Sequence, residues 1–509
     1  MVTGQSKIIP FDSLSEVREK HAKSVIVHCH GVFDVLHAGH LSYFQSAKKN
    51  GDLLVVTLTA DKFVNKGPNR PYYSETVRAA MIAALQIVDY VAVNNNPTAE
   101  PVIAILKPNF YAKGPDYKDL TKDVTGGIYR EQTAVEKAGG RLIFTDDATM
   151  SSSALINRFF NPWNDAQTKM IGQVVSGGGL EKINQLLDDV AKLNVSIVGE
   201  PIIDTYVFCN PEAISSKYPC ISAKYSFEEN YAGGSLAIAN HLADFCKSVE
   251  INFTNGGDSY FKTILEEKID PRIKVNTLLL ANIPTPRKTR FIAMDSTQRM
   301  FEITNLRHDQ WMHHSAEPFN QMFLKSAQRS DVVIVADFGH GLIETPVLSL
   351  LNSLPNFISL NVQTNSSNFG FNPFTKHKKF SYLCIDTREA RFVYYDRYTP
   401  PIDLAKRIFG DLNGQSAVSI TLGPNGSTFF SPQSTEEVAS PAFTDKVVDA
   451  TGAGDAYFAI TSLLVKVGAP PVFIPFMGNV FAGLKTKIVG NKTSVTRADF
   501  VKALQAILK

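Results

Sequence analysis

The sequence predicts an α/β protein with two domains, a Rossmann-like N-terminal domain and a larger α/β domain that carries a small β lid. The first observation is a regular alternation of apolar, strand-like runs with amphipathic, helix-like runs up to about residue 160. The second is a new strand-and-loop start at Val195–Gly199. The third is strand-like alternation in two stretches of the second domain, 206–231 and 273–304, which predicts the lid.

Alternating strands and helices account for the N-terminal domain. Strands are predicted at residues 25–29, 53–59, 89–93, 109–112 and 141–145. Helices are predicted at residues 39–50, 74–87, 98–107, 124–138 and 151–160. Such alternation implies a parallel sheet, because a crossover helix returns the chain to the edge where the next strand starts. Ligands of these sheets bind beyond the carboxyl ends of the strands, so we expect a site there.

The domain boundaries follow from a change in character after Phe160. Residues 24–160 form the first predicted domain, and residues 193–509 form the second. Residues 161–192 are interpreted as a helical linker, with helical stretches near 165–174 and 179–193. A chain of 509 residues exceeds the size at which single cores stop growing, which favours more than one domain.

The composition is typical of a soluble globular protein and argues against several functional classes. The net charge of +2 argues against bulk binding of nucleic acid or anionic membranes. The five cysteines are scattered and never spaced as CxxC, which argues against a disulfide framework or structural zinc and fits a reducing cytosol. Residues 1–23 lack an apolar signal core, and no apolar run reaches the roughly 18 residues of a membrane span, so we expect a cytoplasmic protein.

The most informative stretch is His30–His40, which lies where a predicted strand turns into a helix. It contains Gly-x-Phe-Asp followed by two histidines, His37 and His40. Free backbone N–H groups at a helix N-terminus attract phosphate, and imidazoles placed there can donate hydrogen bonds to a polyphosphate. The alternative is a solvated loop with two chance histidines, and the flanking residues favour the phosphate site.

Three further segments of this domain carry chemically useful residues at the same predicted edge of the sheet. They are Lys66–Pro71 with the nearby Arg78, Lys113–Tyr117 and Met150–Ser153. Basic side chains neutralise phosphate charge, and the hydroxyl and N–H groups of serines at a helix start can hold phosphate. Each segment alone is also compatible with a solvated turn or a helix cap, but their joint placement favours a site.

Residues 24–160 resemble the HxGH nucleotidylyltransferase superfamily, and within it the nucleotidylyltransferase domain of the bifunctional heptose-phosphate kinase/adenylyltransferases. The matching residues are Gly31–His40, Lys66–Pro71, Arg78, Val88–Val91, Lys113–Lys118 and Ser151–Ser153. The resemblance implies that a substrate phosphate attacks the α-phosphate of ATP or CTP and releases pyrophosphate. It also implies that Mg²⁺ accompanies the nucleotide.

The same resemblance implies a role for each matching residue. His37 and His40 would stabilise the transition state, while Lys66 and Arg78 would neutralise the β- and γ-phosphates. The residues implied to bind nucleotide are Gly31, Phe33, Asp34, Gly39, Arg78, Lys113, Ser151 and Ser152, and Asp116 is implied to bind substrate. Asp146–Asp147 stand where relatives acting on glycerol phosphate carry an arginine, so the chain is more similar to the heptose enzymes. The choice between adenine and cytosine stays open.

The strongest motif of the second domain is Asp449–Asp455, which precedes a predicted helix at 455–467. Small residues let the backbone approach a ligand closely, and successive N–H groups at a helix start form an anion hole. Asp455 can accept a proton from a substrate hydroxyl. A glycine-rich turn before a helix would explain the glycines but not the paired aspartates.

Residues 193–509 resemble the ribokinase-like sugar kinases. The matching segments are Gly199–Tyr206, Gly233–Gly234, Arg287–Arg290, Asp337–Gly341, Thr421–Gly426 and Asp449–Asp455. The resemblance implies that Asp455 is the general base and that Mg-ATP is the phosphoryl donor. The residues implied to bind nucleotide are Thr421, Gly423, Gly426, Thr451, Gly452, Ala453 and Gly454. The residues implied to bind the sugar are Asp204, Gly233, Gly234, Asn240, Lys288 and Arg290.

Several positions depart from this family pattern. The sugar-binding asparagine expected after the two glycines is replaced by Ala237, with Asn240 three residues later. Cys384–Glu389 replaces an Asn-x-x-Glu element that helps to organise Mg²⁺, so the metal ligands stay unassigned. His340 stands for a lysine, and Asn361–Ser366 replaces an Asp-Pro-Lys segment. The phosphoryl-transfer end is therefore intact, whereas the sugar end and the metal-organising element are altered.

The leading hypothesis is a bifunctional enzyme that makes a nucleotide-activated, heptose-like sugar. Relatives place the kinase first in the chain, so the reversed order argues against a plain orthologue. Two alternatives stay open, a transferase acting on a polyol or alcohol phosphate and a catalytically weakened or regulatory kinase-fold domain. The expected partners are sugar phosphates and nucleotides, with no nucleic acid and no membrane, and the resemblance to sugar kinases implies a homodimer through the β lid.

Overall fold

The structure is a computed structural model that describes residues 4–64, 70–114, 127–145, 163–215, 217–281, 283–295, 298–306, 316–444 and 447–508. The chain divides into two compact units, Met1–Asn164 with Val501–Lys509, and Asp165–Phe500. Within the described ranges, no helix combines the length and the apolar character that crossing a bilayer requires.

The first unit contains a five-stranded sheet in the order β3-β2-β1-β4-β5, and its strand pairs are all parallel. The strands are β1 Ile26–Gly31, β2 Leu53–Thr59, β3 Tyr90–Asn94, β4 Phe110–Lys113 and β5 Arg141–Phe144. The helices are α1 Leu14–Lys20, α2 Ala38–Lys48, α3 Glu75–Ala83, α4 Glu100–Leu106 and α5 Gly127–Lys137. This architecture confirms the predicted Rossmann-like sheet with crossover helices. The helix predicted at 151–160 lies outside the described residues.

Apolar side chains cover both faces of this sheet and explain why it forms. Val27 of β1 belongs to a buried cluster that includes Phe44 of α2 and Ile82 of α3. Its neighbour Ile26 belongs to a second cluster, which includes Leu106 of α4. Successive residues of a strand point to opposite faces, so β1 contributes to both clusters and becomes the central strand.

The second unit is built on a nine-stranded sheet in the order β10-β9-β6-β13-β14-β15-β16-β17-β18. These strands are β6 Asn194–Gly199, β9 Ser248–Asn255, β10 Ile273–Leu279, β13 Val332–Asp337, β14 Phe357–Val362, β15 Tyr382–Asp386, β16 Ala417–Thr421, β17 Ser427–Ser431 and β18 Ser434–Ser440. Pairing is parallel from β10 to β16 and antiparallel for β17 and β18. The sheet confirms an α/β fold for the second domain.

Eleven helices with described bounds follow residue 164. They are α6 Asp165–Ser176, α7 Gly179–Val190, α8 Ser235–Leu242, α9 Ser259–Glu267, α10 Glu317–Ala327, α11 Thr345–Ser353, α12 Thr387–Tyr394, α13 Pro401–Asp411, α14 Ala453–Lys466, α15 Phe473–Lys485 and α16 Arg497–Leu508. Helices α6 and α7 occupy the two helical stretches predicted for the linker, and both belong to the second compact unit.

A separate four-stranded sheet, in the order β12-β11-β7-β8, confirms the predicted β lid. Its strands are β7 Pro201–Ile214, β8 Ile221–Gly234, β11 Arg287–Ala293 and β12 Arg299–Asn305. One part of the lid prediction is wrong, because Ile273–Leu279 pairs with β9 at the edge of the main sheet. Alternation along a chain predicts a half-buried strand, but it does not encode which sheet the strand joins.

Candidate active sites

The turn between β1 and α2 brings the two predicted catalytic histidines together. His37 is the N-cap of α2, and its Nδ1 accepts a hydrogen bond from the N–H of Gly39 at 3.1 Å. The ring of His40 stacks on the ring of His37 with 3.9 Å between the centroids. Both imidazoles therefore flank the first N–H groups of the helix, where a phosphate can bind.

Phe33 and Gly31 shape this turn. Phe33 has a left-handed φ of 50°. Its ring centroid lies 5.3 Å from that of His40, edge to face, and 5.0 Å from that of Phe44. A Cβ atom on Gly31 would lie only 3.0 Å from the Phe33 ring, so any larger residue at this position would crowd the ring. The residues predicted for this turn are thus neighbours in the structure.

Asp34 holds a neighbouring loop in place. Its carboxylate accepts hydrogen bonds from Nη1 of Arg70 at 2.6 Å and from the N–H groups of Tyr72 and Tyr73 at 2.6 and 3.2 Å. The side chain is only 1% exposed. The predicted role of Asp34 in orienting a ligand would therefore be indirect, through the position of loop 70–73.

Arg78 differs from its predicted role as a phosphate contact, because its guanidinium is fully buried. It donates to the carbonyl oxygens of Val32 at 2.5 Å, Thr59 at 2.9 Å and Tyr73 at 3.0 Å, and it pairs with Asp61 at 2.5 Å. A buried charge requires such a set of partners. In this structure Arg78 ties the β1–α2 turn to β2 and to loop 70–73, and so supports the site from behind.

Lys113 lies at the carboxyl end of β4, at the same sheet edge as the histidines. Its Nζ pairs with Oε2 of Glu131 at 2.7 Å and lies 5.1 Å from the centroid of the Tyr111 ring. This position is compatible with its predicted contact to nucleotide. The remaining predicted residues of this site, which lie outside the described residues and stay predictions, are Lys66, Asp116, Ser151 and Ser152.

Sequence reasoning assigned no role to two histidines of β1 beneath this turn, the buried His28 and the half-buried His30. Nε2 of His28 and Nδ1 of His30 each lie 2.8 Å from Oγ1 of Thr57. Burial lowers the pKa of His30 to about 3 and that of His28 well below its usual value, and the charge of Lys113 acts in the same direction. Both imidazoles are therefore neutral. A signal was present, because residues two apart on a strand share a face.

In the second unit, the segment Asp449–Asp455 leads into α14 as predicted. Gly452 is the N-cap of α14 and has a φ of 77°, which favours glycine. A Cβ atom on Gly454 would meet no atom within 4 Å, so this part of the helix start borders open space. Ala453 differs from its neighbours, because its N–H donates to the carbonyl of Ala450 at 3.2 Å. The N–H groups of Gly452 and Gly454 are thus the better candidates for binding an anion.

Asp455 lies in the first turn of α14 and is 8% exposed. Burial raises the pKa of its carboxyl to about 6, and the charge of Asp204 acts in the same direction, while Gln363, Lys485 and Lys288 oppose the rise. Nε2 of Gln363 donates to Oδ1 of Asp455 at 2.6 Å. A carboxylate with a pKa near neutral pH is suited to accept a proton from a hydroxyl group.

Asp449 joins three segments at the other end of the motif. It accepts hydrogen bonds from the N–H groups of Thr451 at 2.9 Å and Gly490 at 2.8 Å and from the hydroxyl of Tyr206 at 2.8 Å. Arg299 of the lid pairs with it at 2.6 Å. Burial alone would raise the pKa of Asp449, but the backbone and side-chain hydrogen bonds together outweigh burial and lower it. The start of the anion site is therefore tied to the lid.

The residues predicted to bind the sugar gather around Asp204. Nη1 of Arg290 pairs with its Oδ1 at 2.5 Å, and a Cβ atom on Gly233 would lie only 2.2 Å from its Oδ2. Burial lowers the pKa of Lys288, while the charges of Asp204 and Asp455 oppose that shift. The structure thus brings Asp204, Gly233, Lys288 and Arg290 to the neighbourhood of Asp455.

Asn240 does not join this group. Its Nδ2 donates to the carbonyl of Lys268 at 2.8 Å, and its Oδ1 accepts from the N–H of Asp270 at 3.0 Å. These bonds connect α8 to the turn before β10. Gly234 is the N-cap of the same helix with a φ of 60°, and its role in binding the sugar stays a prediction.

The predicted nucleotide turn connects β16 to β17. Thr421 ends β16, and Gly423 and Gly426 have φ values of 59° and 91°. A Cβ atom on Gly426 would lie 2.0 Å from the carbonyl oxygen of Ser440, so the turn requires glycine. A cleft of about 1070 Å³ opens beside this turn, between α6, the β17–β18 hairpin and the loop before α15. Clefts of this size accommodate nucleotides.

The positions that depart from the kinase pattern make defined contacts. Asp386 and Glu389 form a capping box at the start of α12, and Glu389 also accepts from the N–H of Thr364 at 2.9 Å. Burial raises the pKa of Glu389 to about 8, and the charge of Asp386 acts in the same direction. The N–H of His340 donates to Oε1 of the buried Glu200 at 3.2 Å. The altered residues therefore organise the backbone around the site.

Two protein families match different parts of the chain. Residues 28–158 match the cytidylyltransferase-like family, and residues 192–482 match the pfkB family of carbohydrate kinases. The cytidylyltransferase-like segment precedes the kinase segment, so the predicted domain order is confirmed.

Individual relatives are similar to parts of the chain. The bifunctional protein HldE of Helicobacter pylori strain Shi470 is 40% identical over 161 residues, which is 31% of this chain and 32% of that protein. The HldE protein of Campylobacter fetus is 41% identical over 140 residues, 27% of this chain and 30% of that protein. The chain thus spans about a third of the length of these curated relatives.

Solved structures of sugar kinases are similar to the larger part of the chain. Ribokinase from Thermotoga maritima has a TM-score of 0.46 and 17% identity, covering 62% of this chain and 99% of that one. Phosphofructokinase-2 from Escherichia coli has a TM-score of 0.49 and 14% identity, covering 63% of this chain and 100% of that one.

Replacement of Asp34 tests its support of loop 70–73. We expect Asp34→Ala to speed amide hydrogen exchange in this loop at least about tenfold, because backbone hydrogen bonds to a charged group contribute about 1.5–3 kcal/mol each. Asp52→Ala is the matched control, since its carboxylate accepts one backbone N–H, that of Val25. Hydrogen exchange read by mass spectrometry measures both variants. Unchanged exchange of loop 70–73 in Asp34→Ala would contradict the supporting role.

Proposed function

The chain belongs to the pfkB family of carbohydrate kinases, and on that premise we propose that it is a bifunctional enzyme that makes a nucleotide-activated sugar. The second unit phosphorylates a sugar or sugar phosphate at its anomeric hydroxyl with ATP. The first unit couples the resulting sugar-1-phosphate to ATP or CTP and releases pyrophosphate. The proposed sugar is heptose-like, because the first unit is similar to the heptose-phosphate enzymes in its motifs.

The observation that carries the kinase proposal is the position of Asp455. It follows Gly452 and Gly454 in the first turn of α14, and the charges of Asp204 and Lys288 act on it. A base held beside free N–H groups can take the proton of a sugar hydroxyl while those groups bind the phosphoryl. The sugar oxygen then bonds to the γ-phosphorus as the bond to ADP breaks.

The transferase proposal rests on the stacked pair His37 and His40 at the start of α2. When an oxygen of the sugar phosphate attacks the α-phosphorus, the bond to pyrophosphate breaks and negative charge moves onto the leaving group. Fixed imidazole and N–H donors stabilise that charge without having to reorganise. This chemistry needs positioned donors more than it needs a covalent intermediate.

The two reactions are proposed to run in series. The kinase places a phosphate on the anomeric oxygen, and that phosphate is the nucleophile that the transferase requires. Both steps consume nucleoside triphosphates, so we place the enzyme in the cytosol.

Mg²⁺ is proposed to arrive with the nucleotide and to neutralise phosphate charge. In the kinase unit, Asp386 and Glu389 suit this ion. Oδ2 of Asp386 accepts two hydrogen bonds from Arg388, whereas the other three carboxylate oxygens each accept one from the backbone and would be the ones to contact a metal-bound water.

A second candidate function has the kinase fold weakened or regulatory and the transferase acting on a polyol or alcohol phosphate. The observation in its favour is that both carboxylates of the altered metal-organising element are engaged in the cap of α12. Phosphorylation of a sugar by the purified protein separates the two candidates.

We also propose that the protein forms a homodimer through the β lid. The outer halves of β7 and β8 expose apolar side chains, among them Ile221 at 62% and Tyr225 at 61%. Phe301 of β12, at 52%, extends this apolar surface. Pairing with a second copy would remove these side chains from water, and a stable interface buries about 800 Å² on each partner.

The dimer is tested by a charged substitution in the lid. We expect Tyr225→Asp to shift the protein from dimer to monomer, because a carboxylate would be buried without a partner. Tyr395→Asp is the matched control, since Tyr395 is 96% exposed and lies outside the lid. Size-exclusion chromatography with light scattering measures the mass. A monomeric wild-type protein at micromolar concentration would rule out this dimer.

Replacement of His40 tests the transferase. We expect His40→Ala to lower pyrophosphate release from ATP or CTP at least about a hundredfold, because one donor to developing charge contributes that much. His21→Ala is the matched control, since its ring contacts the Tyr90 hydroxyl at 3.0 Å, away from the turn. The assay offers heptose-1-phosphates and glycerol 3-phosphate in parallel. Pyrophosphate release with the polyol phosphate alone would overturn the proposed sugar acceptor.

The pH dependence of sugar phosphorylation tests Asp455. We expect the rate to rise with pH through about 6, because only the deprotonated carboxylate accepts a proton and burial holds its pKa there. Asp455→Asn should lose about 10²- to 10⁴-fold in rate, while the exposed Asp403→Asn keeps the wild-type rate. ADP release between pH 5 and pH 8 measures both effects. An Asn variant as active as the wild type would refute the assigned base.

A further inference from the structure

Lys485, the last residue of α15, is a buried cation that neither the family pattern nor the proposed reaction uses. Its side chain is 0% exposed. Its Nζ donates to the carbonyl oxygens of Thr451 at 2.8 Å and of Gly490 at 2.6 Å. Among the described residues, no carboxylate oxygen lies within ion-pair distance of this Nζ. A buried ammonium bound mainly to backbone carbonyls is an expensive arrangement, and its neighbours indicate a reason for it.

The carbonyl of Thr451 belongs to the same peptide group as the N–H of Gly452. In a planar trans peptide the carbonyl and the N–H point in opposite directions. Because Lys485 draws the Thr451 carbonyl towards itself, the N–H of Gly452 points away from the lysine. The lysine stem also lies against this peptide, since a Cβ atom on Gly452 would be 3.3 Å from its Cε.

Asp449 also connects the loop of Thr451 with the loop of Gly490. Asp449 accepts the N–H of Thr451 at 2.9 Å and that of Gly490 at 2.8 Å, so it takes the N–H groups where Lys485 takes the carbonyls. The side-chain oxygen of Asn491 lies 2.9 Å from the same Cβ position on Gly452 and is buried without a hydrogen-bond partner among the described residues. Lys485 is thus the positive centre of a polar cluster directly behind the anion site.

The charges around Lys485 also support a role in positioning the anion site. Asp204, Asp449 and Asp455 all act on Lys485, and their charges oppose the lowering of its pKa by burial. A triphosphate adds further negative charge to this region. A fixed cation behind the backbone offsets part of that charge without occupying the space of the ligand.

We propose that Lys485 is a positioning residue of the kinase unit, which holds the carbonyls of Thr451 and Gly490 so that the N–H of Gly452 faces the transferring phosphoryl group of a nucleoside triphosphate. This inference rests on the proposed kinase function and deepens it. Because the N–H contact strengthens as the phosphoryl charge develops, the loss of Lys485 affects kcat more than the KM of the sugar.

The experiment compares variants of the full chain in the sugar phosphorylation assay. We expect Lys485→Met to lower kcat at least about tenfold while the KM of the sugar changes less than about twofold. Lys492→Met is the matched control, since Lys492 follows in the same loop but makes an exposed ion pair with Glu229 at 2.9 Å. The control is expected to keep the wild-type kcat.

Chemical rescue separates positioning from a general loss of packing. In Lys485→Ala, added ammonium or ethylammonium should restore at least about fivefold in kcat, because these ions can donate to the two vacated carbonyls. Tetramethylammonium has the same charge but no N–H donor, and it should restore nothing. Lys485→Gln, which keeps a donor without the charge, extends the test if the Met variant does not fold, and its kcat is expected to fall at least about fivefold.

Two results would overturn the inference alone, with the wild type active. One is a wild-type kcat in Lys485→Met or Lys485→Gln, and the other is a loss in Lys485→Ala that ammonium and ethylammonium do not relieve. A wild-type protein that phosphorylates no sugar would instead overturn the proposed kinase function and this inference with it.

Discussion

A peptide group cannot turn its N–H towards a ligand without turning its carbonyl away from it. This constraint applies to both candidate sites, because each includes the backbone of a helix start. In the first unit, buried Arg78 takes the carbonyls of Val32 and Thr59 behind the β1–α2 turn. In the second unit, buried Lys485 takes the carbonyl of Thr451 behind the start of α14. The two candidate sites thus share one structural solution, a buried cation that donates to backbone carbonyls of the turn.

This solution explains why carboxylates are so frequent around the kinase site. Asp204, Asp449 and Asp455 lie where they compensate the buried cations, and each has polar or cationic partners of its own. The balance between burial and hydrogen bonding differs between Asp449 and Asp455. Backbone and side-chain hydrogen bonds keep the pKa of Asp449 low, whereas burial dominates for Asp455 and raises its pKa to about 6. One carboxyl therefore stays a structural anion while the other becomes suited to proton transfer.

The sequence was sufficient to predict most strands and the sheet edges at which the candidate sites lie, because alternation and small-residue turns are local signals, but it placed Ile273–Leu279 in the wrong sheet. It could not predict the direction of a long side chain. Arg78 was expected at the phosphates and points inward, and Asn240 was expected at the sugar and bonds to the turn before β10. Lys485 carries no local signal, since it lies far along the chain from Asp449 and meets that motif only through the fold. The strand pair His28 and His30 did carry a signal, because alternate residues of a strand share a face.

The long hairpin of β7 and β8 affects the risk of aggregation of the newly made chain. Strand β8 is an edge of the lid sheet, and its outer half alternates apolar side chains such as Ile221 and Tyr225 with polar ones. An exposed, partly apolar edge can recruit strands of other molecules and begin aggregation before assembly is complete. Lys224 and Glu228 interrupt this edge with charge. Charged residues at such an edge disfavour indefinite stacking, so the same strand carries both exposed apolar side chains and the charges that oppose aggregation.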